Sequence, residues 1–126
     1  MTEEPKHGSF THIEIPVKDK EKSKEFYGEI FGWKFEDVPE MDYTLFHAPT
    51  PPHGGLFVPE EGQPTFGVLN HINVDSVDET SKKIEELGGK MLVPKTEVPN
   101  IGWFAVFQDP DGAVQALFES LPKPQE

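Results

Sequence analysis

The residues most able to do chemistry form two pairs at strand spacing. His12 and Glu14 are separated by one residue within FTHIEIPV, and His71 and Asn73 repeat this arrangement within LNHINV. Side chains at i and i+2 of a β-strand point to the same face, so each pair presents an imidazole beside a second polar group. Such a set could hold a ligand by hydrogen bonds, bind a divalent ion, or use Glu14 as a general base.

The elements that position the first pair are predicted to be a strand, a helix and three further strands. The strand at 10–17 alternates apolar and polar residues, and the period becomes helical over 19–31. Gly32 follows as a helix stop. Proline-containing segments then separate three short strands, predicted at 33–38, 43–48 and 53–58.

The same order returns around the second pair. A strand is predicted at 67–74, and the capping box that begins at Ser76 and ends at Glu79 opens a helix over 76–87. The segment Asp109-Pro110-Asp111-Gly112 predicts a tight turn between the last two strands. The three strands after this helix are predicted at 90–93, 103–108 and 113–119.

An internal repeat explains this duplication. His12 and His71 are 59 residues apart, whereas Phe57 and Phe118 are 61 apart. We therefore predict a single domain over 1–126 with two βαβββ modules, because units of about 55 residues are too small to bury a sheet face alone. The predicted ranges are module 1 at 9–58, a linker at 59–66, module 2 at 67–119 and a tail at 120–126.

The charge balance limits the classes of partner. The chain has 23 acidic and 11 basic residues and a formal net charge of −12, which disfavours nucleic acid and anionic membranes. No stretch approaches the roughly 20 apolar residues that span a bilayer, and the N-terminus has no signal-peptide core. Cysteine is absent, which excludes disulfides and thiolate chemistry. We expect a cytoplasmic protein with no nucleic-acid or membrane partner.

Three segments carry a resemblance to a known family: THIEIPVKDKEKSKEFYGEIFGW, LNHINVDSVDETSKKIEELGGK and DPDGAVQALFE. In this order they resemble the vicinal oxygen chelate superfamily, which includes glyoxalase I, bleomycin-resistance proteins and extradiol dioxygenases. The resemblance implies an α+β fold in which curled mixed sheets form a half-open barrel, with helices outside and a ligand cavity within. It also implies a homodimer.

The resemblance implies four metal-ligand positions, one on the first and one on the last strand of each module. Two of these positions are His12 and His71, but the other two fall on Gly55 and Ala116, where a carboxylate is usual in the family. A divalent ion such as Zn, Ni, Mn or Fe would therefore need His12 and His71 with a substitute ligand such as Glu14. The alternative is that both histidines are neutral, hydrogen-bonded pocket residues.

Aromatic residues accompany the polar ones. Phe57 and Phe118 share strand parity with Gly55 and Ala116, and Trp103 lies on the strand next to the last. Aromatic-lined clefts with a few polar groups suit planar or apolar small molecules, although plain core packing is the alternative for each ring. The ligand-binding set predicted from sequence is His12, Glu14, Phe57, His71, Asn73, Trp103 and Phe118.

Three classes of function follow from these residues. The leading hypothesis is a glyoxalase-like or bleomycin-resistance-like protein that binds a small organic molecule and lacks the full metal-ligand quartet. The alternative is a divalent-metal-dependent lyase, isomerase or dioxygenase of the same superfamily. A regulatory or scaffold protein that uses the domain only to dimerise is the third, and a cavity filled by side chains would favour it.

Overall fold

A computed structural model describes residues 6–63 and 65–122 of the chain. These residues form two compact units, one at 11–70 and the other at 6–10 together with 71–122. They are called the first and second modules below. Residue 64 of the predicted linker and residues 123–126 of the predicted tail lie outside the described residues, as do residues 1–5.

The first module contains one helix and a four-stranded mixed sheet. The sheet order is β2-β3-β4-β1, in which β1 and β4 are parallel and the other pairs are antiparallel. A parallel pair needs a long crossover, which the helix and the two intervening strands supply. In chain order the elements are β1 (Phe10–Pro16), α1 (Lys20–Phe31), β2 (Lys34–Val38), a 3-10 turn (Pro39–Met41), β3 (Tyr43–His47) and β4 (Gly54–Phe57).

Helix α1 begins and ends at residues suited to those positions. Asp19 accepts a hydrogen bond from the Lys22 backbone N–H at 3.1 Å, which satisfies one of the free donors of the first turn. Gly32 has a φ of 74° and donates its N–H to the Gly28 carbonyl at 2.9 Å. A left-handed conformation costs glycine little, so Gly32 ends the helix here.

The helix-facing side of the first sheet carries the module's core. Phe46 and Leu56 are buried there, and the Trp33 ring stacks between Phe46, at 4.2 Å between centroids, and Tyr27 of α1, at 4.8 Å. Thr44 is fully buried and donates its hydroxyl to Asp37 at 2.7 Å. These contacts fill one face of the sheet and leave the polar pair of β1 on the other.

The second module repeats this arrangement. Its sheet order is β5-β8-β7-β6, with β5 and β8 parallel. The segment before β1 also belongs to this module, because Gly8 donates its N–H to the Asn73 carbonyl and Asn73 donates its own to the Ser9 carbonyl, both at 2.7 Å. The elements are β5 (Leu69–Asn73), α2 (Val77–Glu86), β6 (Lys90–Val98), β7 (Gly102–Gln108) and β8 (Val114–Ser120).

Two side chains cap the start of α2. The Ser76 hydroxyl accepts from the Glu79 N–H at 3.1 Å, as the capping box predicted, and the Glu119 carboxylate of β8 accepts from the Val77 N–H at 2.8 Å. Both acceptors satisfy free helix donors, and the negative charge complements the positive end of the helix dipole. Val77 of the helix joins a buried core with Val74, Ala105, Phe107 and Leu117.

The prediction of an α+β fold with two βαβββ modules is confirmed, with differences in β6 and in the segment before β3. Strand β6 was predicted to end at Val93 but continues to Val98. The pairing with β7 is irregular between Met91 and Thr96, so Pro94 lies where the ladder is already interrupted and its missing N–H costs little. The 3-10 turn at Pro39–Met41 was not predicted.

Within the described residues, no helix is long and apolar enough to cross a membrane.

Glu119→Ala should lower the free energy of unfolding by about 1 kcal/mol, because it removes the acceptor for the Val77 N–H while the strand remains intact. Urea unfolding followed by circular dichroism measures the loss. Glu119→Gln keeps an acceptor oxygen and should recover most of the stability. Equal stability of the wild type and Glu119→Ala would show that the cap contributes nothing.

Candidate functional site

A tyrosine joins the two polar residues of β1. The Tyr43 hydroxyl lies 2.7 Å from His12 Nε2 and donates to Glu14 Oε2 at 3.2 Å. Since the phenol proton is directed at Glu14, the phenol oxygen is left to accept from an N–H at His12 Nε2 in this arrangement. The imidazole and phenol rings are nearly parallel, with an interplanar angle of 20° and a centroid distance of 6.2 Å. We call these three residues the tyrosine bridge.

The sheet register brings the tyrosine bridge to one face. Glu14 pairs with Gly55 across the parallel β1–β4 ladder, and Tyr43 pairs with Phe57 across the antiparallel β3–β4 ladder. Directly paired residues point to the same side, and His12 shares it because it lies two residues before Glu14. The tyrosine bridge, Gly55 and Phe57 therefore lie on the sheet face opposite the helix.

Burial sets the protonation states within the bridge. It lowers the pKa of His12, which keeps the imidazole neutral near pH 7. Burial also raises the pKa of Glu14, and the hydrogen bond from Tyr43 acts in the opposite direction. The pKa of Tyr43 is raised far above its ordinary value, first by burial and then by the nearby Glu14 charge, so the phenol remains protonated.

Gly55 is the residue that makes room for Tyr43. A Cβ built on Gly55 would overlap Cε2, Cζ and Oη of the Tyr43 ring. Any side chain at this position therefore requires the ring to leave. Tyr43 was not predicted as a site residue, although the strand that it begins was predicted at 43–48. The missing information was the parallel pairing of β1 with β4, which joins strands that are far apart in sequence and so brings Tyr43 close to His12 and Glu14.

The second module carries its own polar and aromatic face. His71 pairs with Ala116 and Asn73 with Phe118 along β5 and β8, so these four residues share one side of the sheet. His71 is buried, with 6% of its surface exposed. Trp103 lies on the other side, because it packs with the helix-facing core, and Lys95 Nζ lies 4.9 Å from its ring. The structure thus separates Trp103 from Phe118.

The two modules differ in strand register. In the second module His71 lies beside Ala116, but in the first module Gly55 lies beside Glu14, two residues beyond His12. In the first module it is His53 that lies at the level of His12. The backbone N–H of Ile13 donates to the His53 carbonyl at 3.0 Å. His53 Nδ1 accepts from the Ala48 N–H at 3.0 Å. The 61-residue spacing between Gly55 and Ala116 in the sequence does not reveal this two-residue difference in strand pairing.

The residues present do not fit the metal site that the family resemblance implies. Among the described residues, no group of three or more His, Cys, Asp or Glu side chains is placed to hold an ion. Gly55 and Ala116 have no donor atom, and the space at Gly55 contains a protonated phenol. His12 Nε2 is engaged by that phenol. The first module offers hydrogen-bonding groups, not an open coordination sphere.

Comparison with known proteins agrees with this fold. Residues 9–116 match the sequence profile of the Glyoxalase/Bleomycin resistance protein/Dioxygenase superfamily. The chain belongs to this superfamily. A Glyoxylase-like domain-containing protein of Didymella fabae is 33% identical over 88% of this chain and 93% of its own length. Methylmalonyl-CoA epimerase from Mycobacterium tuberculosis has a TM-score of 0.70 at 16% identity, covering 97% of this chain and 94% of that one.

Several superfamily relatives are longer than this chain. The anthracycline biosynthesis protein DnrV of Streptomyces peucetius is 27% identical over 88% of this chain, but the match covers 46% of DnrV. The chain spans about half the length of four of the curated relatives it matches.

Glu14→Gln should raise the melting temperature at neutral and alkaline pH. Burial raises the folded-state pKa of Glu14, so its favourable contribution is complete below the ordinary pKa near 4.5 and is lost as pH rises through the folded-state pKa. Glutamine does not titrate and still accepts from Tyr43. Thermal unfolding at pH 4, 6 and 8 should show the variant gaining on the wild type as pH rises. A difference that is constant across this range would contradict the assignment.

Proposed function

We propose that the chain binds a small organic molecule at the tyrosine bridge and does so without a divalent metal. The supporting observation is the continuous hydrogen-bonded set of imidazole, phenol and carboxyl groups on a sheet face, in which all three side chains are partly buried. Burying polar groups is costly, and here their mutual bonds offset part of that cost. The phenol and carboxyl oxygens keep acceptor capacity with which to orient a ligand.

The chemistry of this face favours a neutral or cationic aromatic ligand. Phe57 lies beside Tyr43 on the same face and offers a ring surface for a planar molecule. Glu14 and the net charge of −12 oppose an anion. Hydroxyl groups on the ligand would match the acceptor oxygens of the phenol and the carboxyl group. The name of the relative DnrV refers to anthracyclines, which are planar hydroxylated aromatic compounds, and this supports the same ligand class.

We extend the proposal to the corresponding face of the second module. His71, Asn73 and Phe118 are proposed as ligand contacts because an imidazole, an amide and a ring share that face. Trp103 is left out, since its ring packs with the helix-facing core. Glu14 as a metal-free general base stays a prediction from the sequence, as do the homodimer and the cytoplasmic location. The metal-dependent alternative gains no support from the donor groups present.

Titration with 1,8-dihydroxyanthraquinone tests the proposal. We expect saturable shifts of the backbone amide signals of Tyr43, Gly55 and Phe57 in ¹⁵N-labelled protein. His12→Ala should weaken binding about tenfold, as loss of roughly one hydrogen bond implies. Trp103→Phe serves as the matched control, because this ring lies on the other sheet face and its affinity should equal that of the wild type.

Two results would contradict the proposed site. One is binding that shifts only amides of the helix-facing side, and the other is equal affinity of the wild type and His12→Ala. Anthraquinone-2-sulfonate provides a charge comparison, since its anionic group should weaken binding relative to the neutral probe. If the anion binds more tightly, the proposed ligand class is wrong although the site could remain correct.

A further inference from the structure

We propose that Tyr43 and Gly55 form a coupled pair, in which the phenol ring fills the space that a side chain at position 55 would need. The family resemblance assigns a metal ligand to this position. The pair thereby excludes a divalent ion from the first module. This inference rests on the proposed function, because it explains how the face around His12 and Glu14 became a hydrogen-bonding site. The space in question lies directly over Gly55 and is filled by ring and hydroxyl atoms of Tyr43.

The first step of the argument is steric. A side chain at position 55 would begin inside the Tyr43 ring, where its Cβ would overlap three ring and hydroxyl atoms. Gly55 is itself buried, so the ring covers it on this face. A ligand-bearing residue at 55 and a tyrosine at 43 in this position are therefore incompatible.

The second step is that the ring is held in place. Its hydroxyl is bonded to both His12 Nε2, at 2.7 Å, and Glu14 Oε2, at 3.2 Å. Moving the ring to admit a side chain at position 55 would break both of these hydrogen bonds in a partly buried site. The contact is therefore not relieved by a simple rotation of a flexible chain end.

The third step is chemical. A divalent ion would need deprotonated oxygen or neutral nitrogen donors with open lone pairs. A phenol keeps its proton near neutral pH, and the Tyr43 hydroxyl lies 2.7 Å from the His12 nitrogen that faces it. An ion entering this site would have to displace Tyr43 from two hydrogen bonds, and Gly55 would supply no ligand in return. The two hydrogen bonds of Tyr43 therefore persist, and a divalent ion does not bind at this face of the first module.

Cobalt titration of five proteins tests the pair. These are the wild type, Tyr43→Phe, the double variant Tyr43→Ala/Gly55→Glu, that double variant with His12→Ala added, and the single variant His12→Ala. The first two should show no Co²⁺ binding that depends on His12, because the ring remains in place. The double variant should bind one Co²⁺ at least tenfold more tightly than the triple variant, measured by calorimetry and by the visible absorption of the ion.

A packing measurement keeps the test decisive if the double variant does not fold. Gly55→Ala should lower the melting temperature by several degrees when Tyr43 is present. It should have little effect in a Tyr43→Ala background, because the overlapping ring is gone. Similar losses in both backgrounds would show that the two positions are not coupled and would overturn the proposal.

Two further outcomes would overturn it. One is Co²⁺ binding by the wild type that is lost in His12→Ala, and the other is a folded double variant that binds no better than the triple variant. The titration with 1,8-dihydroxyanthraquinone tests the proposed function and not the Tyr43–Gly55 pair, so its failure can be told apart from failure of the pair. A wild type that binds neither cobalt nor 1,8-dihydroxyanthraquinone would end the proposed function while leaving the Tyr43–Gly55 pair supported by the variants.

Discussion

Parallel pairing of the first and last strand is the constraint on which each module depends. Two parallel strands cannot be joined by a tight turn, so a helix and two further strands must lie between β1 and β4, and likewise between β5 and β8. Each helix covers one face of its sheet, which leaves the opposite face for the polar residues of the first strand. His12 and Glu14 thus reach an open face because Ile13 and Ile15 turn toward the helix-facing side.

The tyrosine bridge shows how a superfamily fold can retain residues of one site while changing its chemistry. The first-strand histidine is present, but the neighbouring strand supplies a glycine, and a ring from a third strand occupies the resulting space. A phenol with a strongly raised pKa donates a hydrogen bond and does not release its proton near neutral pH. The first-module face therefore carries hydrogen-bonding groups on a backbone of the superfamily fold. Fold and function are separable at this level.

Much of the fold was predictable because its signals are local. Gly32 ends the first helix, the box at Ser76 opens the second, and the Asp109 turn joins the last strands, as the sequence indicated. Strand parity also grouped His12 with Glu14. Tyr43 was missed because its partners lie 29 and 31 residues away, and no local pattern specifies that β1 pairs with β4. The two-residue register shift between the modules was hidden for the same reason.

The pairing of residues 8 and 9 with Asn73 has a consequence for how the chain assembles. These residues leave the ribosome before the whole first module, yet their hydrogen-bonding partners belong to the module synthesised later. The bonds to Asn73 therefore cannot form until the chain has been synthesised through β5. Residues 8 and 9 thus find their partners later than their place in the sequence suggests, and a fusion tag attached close to them would disturb the second module more than the first.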